Sequence, residues 1–130
     1  MNANVVVSIS QKLLEAILSH AKMLHPRETI FLLRGKRHEN LIEICELVVP
    51  PLATYGRGFA NIPTHMLPID FSIIGTVHSH PSGNLVPSPV DLNNFWGSIL
   101  MIVAFPYQNG KCVVIYNHKG EKLTLKIVGA

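Results

Sequence analysis

Phe71-Ser72-Ile73-Ile74-Gly75-Thr76-Val77-His78-Ser79-His80-Pro81 is apolar almost without interruption until its histidines, and then stops at a proline. Such a run reads as a central β-strand buried on both faces, with Pro81 ending it because proline offers no N–H to a ladder. Residues two apart in a strand share a face and lie roughly 6.6 Å apart along the chain, so His78 and His80 can converge on one ion while Ser79 points the other way. Ser82-Gly83-Asn84 then turns the chain toward Ser88-Pro89-Val90-Asp91, where Ser88 suits an N-cap and Pro89 a first helical residue. Asp91 returns a carboxylate ten residues beyond His80. Two His and one Asp around Zn²⁺ leave the fourth tetrahedral position open, as a hydrolytic site requires; structural zinc sites close it.

Working outward, the chain alternates strands with two helices. Val5 to Ile9 is β-prone, and Ser10 can cap a helix over about residues 10 to 24, with Ile9 and Leu14 as a hydrophobic staple. Leu13, Leu14, Ile17, Leu18, Ala21 and Leu24 recur at helical spacing, and His25-Pro26 ends the pattern. Thr29 to Arg34 and Leu41 to Val49 read as strands joined through the polar link Lys36 to Asn40. In the second strand Glu43 and Cys45 share a face with Leu47, and Ile42 and Ile44 share one with Glu46, so neither face is cleanly apolar. From Pro50 to about Pro68 the prolines and glycines break the pattern, leaving Phe59-Ala60-Asn61-Ile62 as the one strand-like piece. A short helix over Pro89 to Trp96 precedes strands at Ile99 to Phe105, Cys112 to Tyr116 and Lys122 to Val128. The sum is an α/β sandwich, strands flanked by an early helix and a short mid-chain helix.

At 130 residues, residues 1–130 are expected to form one domain. Hydrophobic residues make up 48% of the chain and charged ones 15%, a composition of compact folds and not of disordered chains. The net charge of +3 is scattered over eleven basic residues without a stripe that would track phosphates, so nucleic acid is not an expected partner. No signal peptide is evident and the longest apolar run, Ile99 to Tyr107, is too short to cross a bilayer, so a cytoplasmic protein without membrane partners is expected. Cys45 and Cys112 lie in strand-like apolar segments and read as buried free thiols, with a cross-strand disulfide as the alternative.

Taken alone, a His-x-His pair is more often a pair of hydrogen-bonded histidines than a ligand set, and Ser88 with Asp91 is also a plain capping box. The conjunction of His78-Ser79-His80-Pro81, the spacing, Ser88-Pro89-Val90-Asp91 and an upstream Glu28 is far more specific. Together these residues resemble the Glu…His-x-His-x10-Asp signature of the JAMM/MPN+ zinc metalloproteases, most like their minimal archaeal members. The resemblance spans nearly the whole chain and implies an α/β fold with a single curved mixed β-sheet flanked by helices, like that of cytidine deaminases. It implies hydrolysis of isopeptide or peptide bonds after the C-terminal Gly-Gly of ubiquitin-like proteins, such as small archaeal modifiers.

One Zn²⁺ per chain on His78, His80 and Asp91 would lower the pKa of a water to about 7. Glu28 would serve as general base and then acid, and Ser88, by the resemblance, as oxyanion donor. The Pro50 to Pro68 segment matches the position of a substrate groove, in which Phe59, Asn61 and Ile62 would hold an extended modifier tail by strand pairing. Ubiquitin-like modifiers and their conjugates are the expected partners; homodimerisation stays open. The alternative is a metal-free interaction module of the same fold, which predicts gaps in the ligand set that this chain lacks. Another zinc hydrolase, such as a deaminase, is the third class; the Pro-Cys-x-x-Cys ligands that a deaminase site needs are absent, which favours the protease.

Overall fold

The computed structural model describes residues 4–49, 54–56, 59–61, 72–94 and 97–129. Strand β1 (Val6–Ser10) runs directly into helix α1 (Gln11–Leu24). Ser10 is extended at φ −72°, ψ 150°, and its hydroxyl accepts the Leu13 N–H at 3.1 Å, satisfying one of the donors that every helix start leaves open. Ile9 and Leu14 are both 1% exposed, as a hydrophobic staple demands. Leu14, Ile17, Leu18 and Ala21 form the buried stripe, and the helix stops at His25 ahead of Pro26.

Strands β2 (Ile30–His38) and β3 (Leu41–Val48) form an antiparallel hairpin whose turn puts Glu39 at φ 54°. Arg34 pairs with Glu46 but the next residue, Gly35, pairs with Ile44, so Cys45 is the extra residue of a β-bulge. Gly35 has to be glycine there, because a Cβ would run into the Glu43 carbonyl oxygen. The bulge settles the facing of β3: Ile42 and Ile44 go into the core. It also corrects the expectation of buried thiols. Bulged out of the ladder, Cys45 is exposed, and Cys112, at the end of a 3-10 turn (Gly110–Cys112), is half-buried; both are free.

Strands β4 (Thr54–Gly56) and β5 (Phe59–Asn61) pair antiparallel with each other, in a small sheet separate from the main one. Ile62 lies outside the described residues. The main sheet is centred on β6 (Ile73–His80), which runs antiparallel to β2 on one side and parallel to β7 (Ile99–Ala104) on the other. The parallel crossover carries the short helix α2 (Pro89–Asn94). Strands β8 (Val113–Tyr116) and β9 (Lys122–Val128) follow, and β9 pairs in parallel with β1 from Val6 opposite Thr124 to Ser10 opposite Val128. The sheet is thus curved so far that it closes, in the order β1-β3-β2-β6-β7-β8-β9.

Strand β7 shows how the two layers are built. Ile99, Met101 and Val103 join the large core that includes Leu14, Ile17 and Leu18 of α1, whereas Leu100 and Ile102 pack with Tyr116, Leu85 and Leu92. Alternate residues of one strand therefore serve opposite layers, which is why the run is continuously apolar. Among the described residues no helix is long and apolar enough to cross a membrane.

Candidate metal centre

The carboxyl end of β6, beside its parallel neighbour β7, is where open crevices form in parallel sheets. His78 and His80 sit on one face of that end, paired with Ile102 and Ala104 of β7. A tight turn follows, in which the Gly83 N–H bonds the His80 carbonyl at 3.1 Å with Gly83 at φ 84°, a conformation that favours glycine. Asn84 continues it by accepting the Val86 N–H on its side-chain oxygen at 2.9 Å. The chain then enters α2 through a reciprocal cap. Asp91 N–H donates to Ser88 Oγ at 3.0 Å and Ser88 N–H donates to Asp91 Oδ2 at 2.9 Å.

That cap aims Asp91 back at the strand. Asp91 Oδ1 lies 3.8 Å from His78 Nδ1, and Asp91 Oδ2 lies 3.2 Å from His80 Nε2. His80 Nδ1 is 2.8 Å from the Asn84 carbonyl oxygen, which can only accept, so the neutral ring carries its proton on Nδ1 and keeps the Nε2 lone pair on the Asp91 side. A backbone carbonyl holding the far ring nitrogen is the usual support of a ligating histidine. His78 is 6% exposed, and its Nε2 is buried without a hydrogen-bond partner among the described residues.

As the side chains stand, no three His, Cys, Asp or Glu residues among those described are arranged around an ion; the carboxylate instead faces the two imidazoles directly. The donor chemistry fits zinc nonetheless. Two imidazoles and one carboxylate meet at one end of one strand, one ring is fixed by a carbonyl, and the other has an orphaned buried nitrogen.

The charges are consistent with that arrangement. Burial, helped by the nearby His80 and only partly opposed by Asp91, lowers the His78 pKa to about 4, so the ring is neutral at physiological pH. Burial alone would raise Asp91, but the hydrogen bond it accepts from Nε2 of a protonated His80, the Ser88 N–H and the nearby imidazoles outweigh it and bring the carboxyl to about 2. Burial also disfavours charge on His80, but Asp91, the Asn84 carbonyl and the Glu28 carboxylate together raise its pKa above the usual value.

Glu28 lies on the approach to β2, two residues before Ile30, which pairs with His78, and next to Thr29, whose carbonyl accepts the Ser79 N–H at 3.0 Å. Its carboxylate is near enough to His80 to help raise that ring's pKa. Ser88 is exposed at the start of α2; its oxygen accepts from Asp91 and its own proton is left to donate. Phe59 and Asn61 lie on β5, away from the main sheet's ladders, and Ile62 is outside the described residues.

Sequence reasoning missed two residues, Thr29 and Tyr107. Thr29 is 3% exposed and bonds Ser79 Oγ through its N–H at 2.7 Å and its hydroxyl at 3.2 Å. A polar residue next to Glu28, facing away from it, was the available signal. Tyr107 is 1% exposed at φ 59°, and nothing in its local sequence marks it.

Comparison with known proteins points one way. Residues 10–123 match the Prok-JAB model, described as prokaryotic homologs of the JAB domain. A probable metalloprotease of Haloferax volcanii is 30% identical over 109 residues, covering 78% of this chain and 68% of that one. A crystal structure of a JAB1/MPN domain protein from Archaeoglobus fulgidus is 37% identical at a TM-score of 0.69, covering 93% of this chain and 98% of that one. Another solved structure, described as JAMM, a metalloprotease-like zinc site in the proteasome and signalosome, is 34% identical at a TM-score of 0.68, covering 95% and 99%. A protein of Desulfitobacterium hafniense, 17% identical at a TM-score of 0.62 over 93% of each chain, shares the fold. With a curved sheet of this topology and a family match across most of its length, the chain belongs to the JAB/MPN family, in its JAMM metalloprotease-like branch.

Proposed function

We propose that this chain is a zinc-dependent isopeptidase or peptidase that cleaves after the C-terminal Gly-Gly of ubiquitin-like modifier proteins. The observation that carries the reading is the convergence of His78, His80 and Asp91 at the end of β6, with the Glu28 carboxylate close enough to His80 to act on its charge. The family's metalloprotease relatives support it.

His78, His80 and Asp91 would hold one zinc ion per chain. When bound, zinc supplies a water whose pKa is lowered to about 7 and a polarising charge for the scissile carbonyl. Glu28 would act as general base toward the attacking water and then as general acid toward the leaving amine, a role worth roughly 10² to 10⁴ in rate. Ser88 donates its hydroxyl proton to the carbonyl oxygen as that oxygen becomes negative. The β4–β5 hairpin has outer edges that can pair with an extended tail, and two glycines at the cleavage point suit a groove too narrow for side chains.

The test is cleavage of a small ubiquitin-like modifier fused through its Gly-Gly to a reporter, read by mass spectrometry alongside zinc content. The expected result is one zinc per chain, a product ending in Gly-Gly, loss of cleavage with chelator and recovery on adding zinc. Zinc-free protein that still binds the modifier would instead make the chain an interaction module. Cleavage that survives chelation would remove the metal from the reaction.

A further inference from the structure

Ser79 stands between the two candidate ligands but faces the opposite side of β6. It is fully buried, and all its hydrogen bonds with β2's approach go to one residue. Ser79 Oγ accepts the Thr29 N–H at 2.7 Å and lies 3.2 Å from the Thr29 hydroxyl, while Ser79 N–H donates to the Thr29 carbonyl at 3.0 Å. Thr29 immediately follows Glu28 and immediately precedes β2, which begins at Ile30. On the other side Arg27 N–H bonds back to the Leu24 carbonyl at 2.8 Å, at the end of α1. The short bridge that carries Glu28 is therefore pinned at both ends, and its sheet end is held by a side chain and not by a ladder alone.

The side chain at position 79 matters because the Thr29 N–H is buried and points at it. Alanine there would leave that donor with no acceptor. Tyr107 lies against the same cluster. Its buried hydroxyl meets no hydrogen-bond partner of good geometry among the described residues, yet burial, the Ser79 hydroxyl and the Glu28 carboxylate all act on its ionisation. Its backbone N–H is tied to the Ala104 carbonyl at 2.9 Å, at the end of the strand that neighbours β6.

We infer that Ser79 is a positioning residue for Glu28: by holding Thr29 it fixes the backbone from which the Glu28 carboxylate faces His80. Strand β6 would thereby present ligands from one face and set the general base from the other, so that both move as a unit. The catalytic half of this inference rests on the proposed hydrolase reading; the structural half does not.

Two measurements test it on the full chain. Amide hydrogen exchange of the Ser79→Ala protein reads the clamp without any activity; the expected change is about tenfold or more faster exchange at Glu28 and Thr29, with β7 amides unchanged. Kinetics on a modifier fusion read the consequence. Ser79→Ala should keep one zinc per chain and a KM within about threefold, while kcat falls roughly 10- to 100-fold, as small misplacements of catalytic groups do. In a Glu28→Gln background the same substitution should cost less than about threefold, because the two residues act through one step. Ser79→Thr, which keeps the hydroxyl, should recover most of kcat; Thr29→Val, which loses only its own hydroxyl, should cost less than Ser79→Ala. Unchanged exchange at Thr29 overturns the clamp even if the enzyme is active. An equal loss in the Glu28→Gln background overturns its link to the base. Faster exchange at Thr29 in a protein that cleaves no modifier supports the clamp and refutes the proposed function instead.

Discussion

Strand β6 meets close backbone packing at its amino end and polar donors at its carboxyl end, and the two ends tolerate opposite kinds of change. At Gly75 a single Cβ would run into the carbonyl oxygen of Ile99 on β7, and at Gly97, at φ 87°, it would strike the backbone of Ile74 and Gly75. Nothing there needs chemistry; it needs absence of volume. Three and five residues on from Gly75, His78 and His80 occupy ladder positions that a valine would suit as well for packing. They bury polar nitrogens, which costs stability unless those nitrogens have partners. The first end therefore answers to stability and the second to activity.

Four experiments would break or sharpen that division. Glu28→Gln preserves shape and removes the base, so kcat should drop roughly 10² to 10⁴-fold with zinc content and Tm nearly unchanged. Near-normal turnover would remove Glu28 from the mechanism. Ser88→Ala should reduce kcat by about 10²-fold through the lost oxyanion donor. It should also cost ~1 kcal/mol of stability through the lost cap of Asp91 N–H, measurable by urea unfolding. Gly75→Ala is the converse of both: overpacking should remove about 1 to 3 kcal/mol of stability while kcat per folded, zinc-loaded molecule stays the same. A normal Tm for that variant would mean the strands separate more easily than their contact suggests.

The smallest effect is in pH. In metal-free protein the His78 pKa of about 4 lies below the ordinary 6.5, so as pH falls from 6.5 toward 4 the unfolded chain takes a proton that the folded one refuses. Stability should fall through that window and level off below it. His80, whose folded pKa is raised, acts with the opposite sign: its contribution is present at low pH and is lost as pH rises through its folded value. Asp91 keeps its contribution above the ordinary carboxyl range and loses it only as pH falls toward 2. Chelated His78→Gln protein, followed by thermal unfolding from pH 7 to 4, should show a flatter or reversed slope.

What could be read in the chain divides along the same lines. The convergence of His78, His80 and Asp91 was legible because the spacing is local and the turn and cap residues between announce their roles, from Gly83 to Ser88. Helix α1 was legible from its cap, stripe and terminal proline. The closure of the sheet was not, because Val6 meets Thr124 only through the whole fold. The facing of β3 was not, because one bulge at Cys45 inverts the alternation and no residue type there declares it. Phe59 to Ile62 was expected as the one strand-like piece of its segment; Phe59–Asn61 pairs with Thr54–Gly56, which the neighbouring Pro50, Pro51, Gly56 and Gly58 hid. Glu28 was reached by family resemblance, and its nearness to His80 exists only in the folded chain.

The reciprocal cap of α2 has a thermodynamic consequence of its own. A six-residue helix is too short to persist on intrinsic propensity, and its first turn is held by the same carboxylate that faces the two imidazoles. Helix order and occupancy of the site are therefore linked variables. Whatever ligand draws Asp91 toward the strand while leaving its bond to Ser88 intact also favours the ordered helix, and whatever pulls Asp91 off Ser88 is opposed by the free energy of uncoiling it.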